Sequence, residues 1–349
     1  MSRKRVVIVD DSATMRAMIA QVLNGDGRFE VVGEAEHPLE AREVIKRTNP
    51  DVITLDVEMP KMDGITFLEK IMRLRPTPVV MFSTETHRGS RAAVEALSLG
   101  AVDCLGKPSS ANVLALKSLA ERVFIAAGAS VGPQSPRPER PAGGNHAWNG
   151  KIVLIGASTG GVDALERVLS ALPPDCPPIL ITQHMPESFL ASFAERLQGL
   201  VAPKIGLATD GTRIQQGSVY IAPGGDHHLV VEGRSPVLRC GLRAGEKVSG
   251  HRPSVDVLFD SAVSAASNVV AVMLTGMGRD GAEGMLALRQ HGAHTIGQDA
   301  ATSVVFGMPR VAAEIGAVAE TLPLDRIAGA ILSATDKAAE SATQVGSRA

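Results

Sequence analysis

"KIVLIGASTGGVDALERVL", residues 151 to 169, passes from an apolar strand-like run through a Gly-rich turn into a helix-like run. That unit decides the fold, because chains that alternate strand and helix build parallel sheets covered on both faces. The same letters carry two chemistries. A Gly-rich turn that opens a helix is the device of a phosphate-cradling loop. Gly156 to Gly160 also spell G-x-S-x-G, with Ser158 where a nucleophile elbow holds its serine. Downstream, "PPILITQH", "SVYIAP" and "VVAVMLTG" repeat the strand pattern, mostly followed by helix-like segments. Short alternating runs rich in Gly from about residue 205 to 243 predict hairpins.

Upstream lies "AGASVGPQSPRPERPAGGNHAWN", residues 127 to 149, where Pro133, Pro136, Pro138 and Pro141 interrupt any regular element. It reads as a linker. On its N-terminal side "RVVIVD", "FEVVGEA", "DVITLD", "TPVVMFS" and "VDCLGKP" alternate with amphipathic stretches, which predicts five βα units in a doubly wound parallel sheet over residues 1 to 126. The second α/β unit is expected over 150 to 335, and 336 to 349 as a polar tail. Two units are also the natural expectation for 349 residues. With 44 % hydrophobic and 21 % charged residues the chain has the composition of a globular protein, and a net charge of −2 leaves no polybasic footprint for nucleic acid. The start is too poor in apolar residues for a signal peptide, no run approaches membrane-span length, and Cys104, Cys176 and Cys240 show no metal spacing. The expected setting is the cytoplasm, with no membrane insertion.

One set of polar residues converges in the first unit. Asp10 and Asp11 follow the first strand, Asp56 ends the third, Ser83 and Thr84 end the fourth, and Lys107 follows the fifth. Strand carboxyl ends form the ligand crevice of an open α/β sheet. Three carboxylates there repel one another unless a divalent cation neutralises them, and oxygen ligands suit Mg²⁺. The competing reading is that Asp10, Asp11 and Ser12 cap a helix and that Asp56 and Asp63 make turns. "VVIVDDSATMR", "DVITLDVEMPKMDGITFLEKI" and "LGKPSS" resemble the receiver domain of two-component response regulators over residues 3 to 125. The resemblance implies a flavodoxin-like fold, a phosphoryl group accepted by Asp56 from a histidine kinase, Mg²⁺ held with Asp10 and Asp11, and switch roles for Ser83 and Lys107. Cys104 departs from the family, whose members usually place an aromatic there.

In the second unit the Gly-rich turn can be tested against its neighbours. A dinucleotide site calls for an acidic residue at the end of the next strand, and that strand ends in Gln183 and His184. No Gly-Lys-Ser/Thr closes the turn as a P-loop requires. A serine nucleophile needs a base and an orienting carboxylate, and His184 and Asp280 lie on the carboxyl side of two further strands. Taken singly, Ser158 reads as a helix cap, His184 as a structural histidine and Asp280 as a turn residue; on the rims of one sheet they favour a triad. Its chain order, Ser, His, Asp, is not that of α/β hydrolases.

"IGASTGGVDAL", "QHMP", "YIAPGGDHHL", "HRPSVDVLF" and "LTGMGRDGAEGM" resemble the catalytic domain of the chemotaxis protein-glutamate methylesterase family over about residues 150 to 335. The resemblance implies a Rossmann-like domain with Ser158 as nucleophile, His184 as general base and acid, Asp280 as orienting carboxylate, and oxyanion donors near Thr159 and Met277. It further implies esterase chemistry without a cofactor, deamidation of particular glutamines, the cytoplasmic helices of chemoreceptors as substrate, and an unphosphorylated receiver that restrains the esterase. Ser254 is expected to cap a helix with Val255, Leu258 and Phe259 inward, and His251 and Arg252 to line the substrate surface. A non-catalytic binding module and a nucleotide site at Gly156 to Gly161 remain as other readings.

Overall fold

A computed structural model describes residues 2–59, 62–83, 87–107, 113–132, 143–234 and 236–338. It divides into two compact units, Met1–Ser135 and Pro136–Ala349. Thr84, the proline-bearing part of the expected linker and the end of the expected tail lie outside the described residues.

The first unit alternates without exception: β1 Lys4–Val9, α1 Ala13–Gly25, β2 Phe29–Ala35, α2 Pro38–Thr48, β3 Val52–Asp56, α3 Gly64–Leu74, β4 Val79–Ser83, α4 His87–Ser98, β5 Asp103–Gly106 and α5 Val113–Ala126. Its sheet is wholly parallel in the order β2-β1-β3-β4-β5. Residues of β3 and β4 are buried on both faces, so these strands are continuous apolar runs rather than alternating ones. The order reverses between β1 and β3, which opens a crevice beyond their carboxyl ends.

The second unit holds β6 Ile152–Ala157, α6 Gly161–Ser170, β7 Ile179–Gln183, α7 Glu187–Leu200, β8 Lys204–Leu207, β9 Ser218–Ile221, β10 His227–Arg234, β11 Val237–Ala244 and α8 Val255–Ser261. After a 3₁₀ turn at Val263–Asn268 come β12 Val269–Met273, α9 Ala282–Gln290, β13 His294–Gln298, α10 Met308–Glu314, β14 Glu320–Leu322 and α11 Leu324–Ala334. The seven-stranded sheet runs β14-β13-β12-β6-β7-β9-β8, with every pair parallel. Its central strands β6, β7 and β12 are buried along their whole length. The switch point lies between β6 and β12, beside β7.

The hairpin expected from residue 205 begins later. Among the strands of the described residues, β10 and β11 alone pair antiparallel, from His227↔Ala244 to Arg234↔Val237. β8 and β9 instead run parallel on the sheet edge, where Val219 pairs with both Ile179 and Ile205. Burial of Val219 and Ile221 against β7 favours this, and the connection over 208–217 is long enough to bring the chain back in the same sense. The last residues of the expected linker also belong to the second unit. The Asn149 N–H donates to Thr335 O, the Lys337 N–H to Ala147 O, and the His146 N–H to Asp175 Oδ2. No helix among the described residues is long and apolar enough to cross a membrane.

Candidate active site

In the first unit the end of β1 delivers Asp10, the end of β3 delivers Asp56 and the end of β5 delivers Lys107. Lys107 Nζ donates to Asp56 Oδ2 at 2.6 Å and stands 4.0 Å from Asp10 Oδ2. Ser12 caps α1 and Asp63 caps α3, and Oδ1 of Asp10 and of Asp56 accepts the Ser12 and Glu58 N–H respectively, so the structural reading holds in part; the Oδ2 atoms of Asp10 and Asp56 face Lys107 in the crevice. Burial, reinforced by the neighbouring Asp10 and opposed by Lys107, raises the Asp56 carboxyl to about 6. Asp10 is raised by burial too, and its Oδ2 is buried without a hydrogen bond among the described residues. Oxygens of Asp10, Asp11 and Asp56 lie within 4.8 Å of one another, so the donor set fits a hard divalent cation. Ser83, buried at the end of β4, accepts the Lys107 N–H on its carbonyl. Cys104 is buried in β5, and burial pushes its thiol up, so it is a small inert packing group.

In the second unit β6 ends at Ala157, and Ser158 sits where the sheet gives way to the turn. The turn is closed by Gly160, at φ 78°, a left-handed position that a side chain adopts only under strain. Ser158 donates its N–H to Thr275 O at 3.0 Å, tying the loop after β6 to the loop after β12. The approach is close: a Cβ on Gly276 would lie 2.7 Å from Ser158 Cβ. His184 follows β7, and its Nε2 lies 2.7 Å from Asp280 Oδ2.

Asp280, 1 % exposed, is held from every side. Oδ2 also accepts the Val255 N–H at 2.7 Å; Oδ1 accepts Ser254 Oγ at 2.7 Å and the Asp256 N–H at 3.2 Å. Burial disfavours its charge, but the hydrogen bonds from His184, Val255 and Ser254 outweigh burial and hold the carboxyl below its ordinary range. An ionised Asp280 accepts a hydrogen bond from His184 Nε2–H, which leaves the lone pair on Nδ1. Nδ1 is buried and has no hydrogen-bond partner among the described residues. Nδ1 and the Ser158 hydroxyl are therefore not hydrogen-bonded to each other in this structure.

Two expected surface residues part company. His251 stacks flat on His184, with ring centroids 3.6 Å apart and planes 4° apart. Arg252 instead donates to Gly225 O and Asp226 Oδ1 in the loop between β9 and β10 and to Gly245 O just after β11. Ser254 caps α8, and Val255, Leu258 and Phe259 are buried, yet that first turn also grips Asp280, a role hidden from the sequence. Thr275 was likewise not anticipated: its hydroxyl donates to Thr159 O at 3.0 Å and accepts the Val305 N–H. Met277, in the same loop after β12, is exposed. The backbone N–H groups of Thr159 and Met277 form no hydrogen bond to another described residue.

Two family models match the chain: a response regulator receiver domain over residues 6–118 and CheB methylesterase over residues 153–331. A protein-glutamate methylesterase/protein-glutamine glutaminase of Agrobacterium fabrum is 51 % identical over 97 % of this chain and 98 % of its own length. One of Caulobacter vibrioides is 54 % identical over 95 % and 98 %. The CheB methylesterase catalytic domain of Thermotoga maritima superposes with a TM-score of 0.51 and 38 % identity, covering 53 % of this chain and 98 % of that one.

Proposed function

The chain belongs to the CheB methylesterase family, with a response-regulator receiver domain in front, and we propose that Ser158, His184 and Asp280 carry its reaction. It is a protein-glutamate methylesterase and protein-glutamine glutaminase of chemotaxis adaptation, regulated by phosphorylation. The observation that supports the triad most strongly is the buried Asp280–His184 pair, with His184 and Ser158 each following directly on the paired strand-end residues Gln183 and Ala157.

The Ser158 hydroxyl attacks the carbonyl carbon of a γ-glutamyl methyl ester while His184 Nδ1 takes its proton. The imidazolium so formed is stabilised by Asp280 through Nε2–H. Negative charge collects on the former carbonyl oxygen, where the N–H groups of Thr159 and Met277 receive it. Collapse breaks the C–O bond, and His184 returns the proton to the departing methanol. Water, deprotonated by the same nitrogen, then attacks the acyl-enzyme and releases glutamate and free Ser158. With glutamine the leaving group is ammonia and the sequence is unchanged.

In the receiver Asp10, Asp11 and Asp56 would hold Mg²⁺, which when bound offsets the charge of an approaching phosphoryl group. The Asp56 carboxylate attacks the phosphorus of the kinase's phosphohistidine, the P–N bond breaks as the imidazole leaves, and Lys107 meets a phosphoryl oxygen. The substrate is the cytoplasmic helical region of a chemoreceptor, the phosphodonor is a histidine kinase, and the setting is the cytoplasm. A non-catalytic binding module would release no methanol, and a nucleotide site at Gly156 to Gly161 would bind nucleotide saturably. The test is methanol release from methylated receptor membranes with and without a small phosphodonor. Release that depends on Ser158 and rises with phosphodonor is expected; release unaffected by Ser158→Ala would refute the assignment.

A further inference from the structure

Gln183 ends β7 immediately before His184 and is 2 % exposed. Its side-chain Nε2 donates to two backbone carbonyls at once, Ser158 O at 2.9 Å and His184 O at 3.1 Å. Only the NH₂ end of an amide can face two acceptors, so the orientation of the group is decided by its partners. Oε1 is buried without a partner among the described residues and lies against the start of α6: a Cβ on Gly161 would be 2.1 Å from it. The positive end of the helix dipole favours oxygen there. A buried amide with one end unsatisfied is costly, and its place between nucleophile and base suggests what it does in return.

Ser158 O belongs to the same planar peptide as the Thr159 N–H, and in a trans peptide the two point in opposite directions. Whatever holds the carbonyl therefore aims the N–H. Ser158 O is held twice, by Gln183 Nε2 and by the Gly161 N–H at 2.8 Å. On the far side of Thr159 the next carbonyl is held by Thr275 Oγ1. We infer that Gln183 is a positioning residue: it fixes the Ser158–Thr159 peptide so that the Thr159 N–H faces the oxyanion, and its bond to His184 O sets the base in register with that donor. This rests on the triad proposed above, and it assigns to Gln183 no contact with substrate.

Gln183→Met fills a similar volume without a donor, and Gln183→Glu keeps the shape while placing acceptors against two carbonyls. Both are made in the full-length chain. The measurements are kcat and KM for methanol release from methylated receptor membranes, the rate at which a p-nitrophenyl alkylphosphonate modifies Ser158, and thermal melting. Loss of one oxyanion donor costs about 10²–10³ in kcat, and a misaimed donor is expected to cost about 10- to 100-fold. For Gln183→Met the expectation is that fall in kcat, KM within about twofold, and a matching fall in phosphonylation, since that adduct also places an oxygen in the hole. Gln183→Glu should be worse than Gln183→Met, and it carries the test if Gln183→Met does not fold. Wild-type kcat in either folded variant, a raised KM at unchanged kcat, or unimpaired phosphonylation would overturn the inference. Retained turnover in Ser158→Ala would instead overturn the triad, so the two failures are told apart.

Discussion

Replacing Gly276 by Ala probes the contact that sets the nucleophile against the β12 loop. Gly276 has no positive φ, so Ala meets no backbone strain there, and the effect is one of space alone. The new Cβ would lie 2.4 Å from Met308 Sδ, 2.7 Å from Ser158 Cβ and 3.1 Å from Ser158 N. Met308 ends in a flexible thioether and can swing aside. Ser158 cannot, because its N–H is bonded to Thr275 O and its carbonyl to Gly161 and Gln183. Ordinary contact begins near 3.4 Å, so opening 2.7 Å to that distance displaces Ser158 relative to the β12 loop by about 0.7 Å. A misplacement of about 1 Å in a reacting group can cost about 10²-fold in rate, which puts the expected loss in kcat at about 10- to 100-fold. Overpacking a tight site typically costs about 1–3 kcal/mol, so melting should fall by several degrees without loss of the fold. KM should stay near that of the parent, because receptor contacts are untouched. The assay is initial-rate methanol release over a range of receptor membrane concentrations, with melting followed in parallel. Wild-type kcat together with a lowered melting temperature would show that the Gly276–Ser158 approach does not govern catalysis.

Ser158→Ala should remove ester hydrolysis by several orders of magnitude in methanol release while leaving melting nearly unchanged, since only one oxygen is lost. Asp280→Asn presents an amide N–H₂ to a site that donates three hydrogen bonds besides that of His184, so turnover should drop by about 10²–10⁴ and melting should fall as well. Asp56→Asn should take up no phosphoryl label from a small phosphodonor, and chelation of Mg²⁺ should abolish labelling of the parent. For Asp56 the folded carboxyl, at about 6, lies above its unfolded value, so the folded state binds the extra proton between about pH 4 and 6. Metal-free protein should therefore lose receiver stability as pH rises through that window, and Mg²⁺ should raise the melting temperature more at pH 7 than at pH 5; an equal Mg²⁺ effect at both would contradict the acidic site.

The alternation of short apolar runs with helical patterns determined two parallel α/β units, and it put the chemistry at strand carboxyl ends. Ser158, His184, Asp280, Asp56 and Lys107 could be picked out because, although each alone reads as a cap, turn or structural residue, each set falls on the carboxyl side of several strands of one predicted sheet. Those are local facts of period and order. Pairing partners are not local: the runs over 205 to 221 alternate like a hairpin, yet β8 and β9 lie parallel because a buried edge against β7 was available to Val219 and Ile221. Nor does a sequence carry the direction in which a ring or amide faces. That His184 turns Nε2 to Asp280, that the cap of α8 also grips Asp280, and that Gln183 joins the carbonyls of Ser158 and His184 follow from bonds between residues 25 and 96 positions apart or from a neighbour's backbone. Only the packed structure decides these, because a buried polar group must take its partners from whatever the rest of the chain brings within reach.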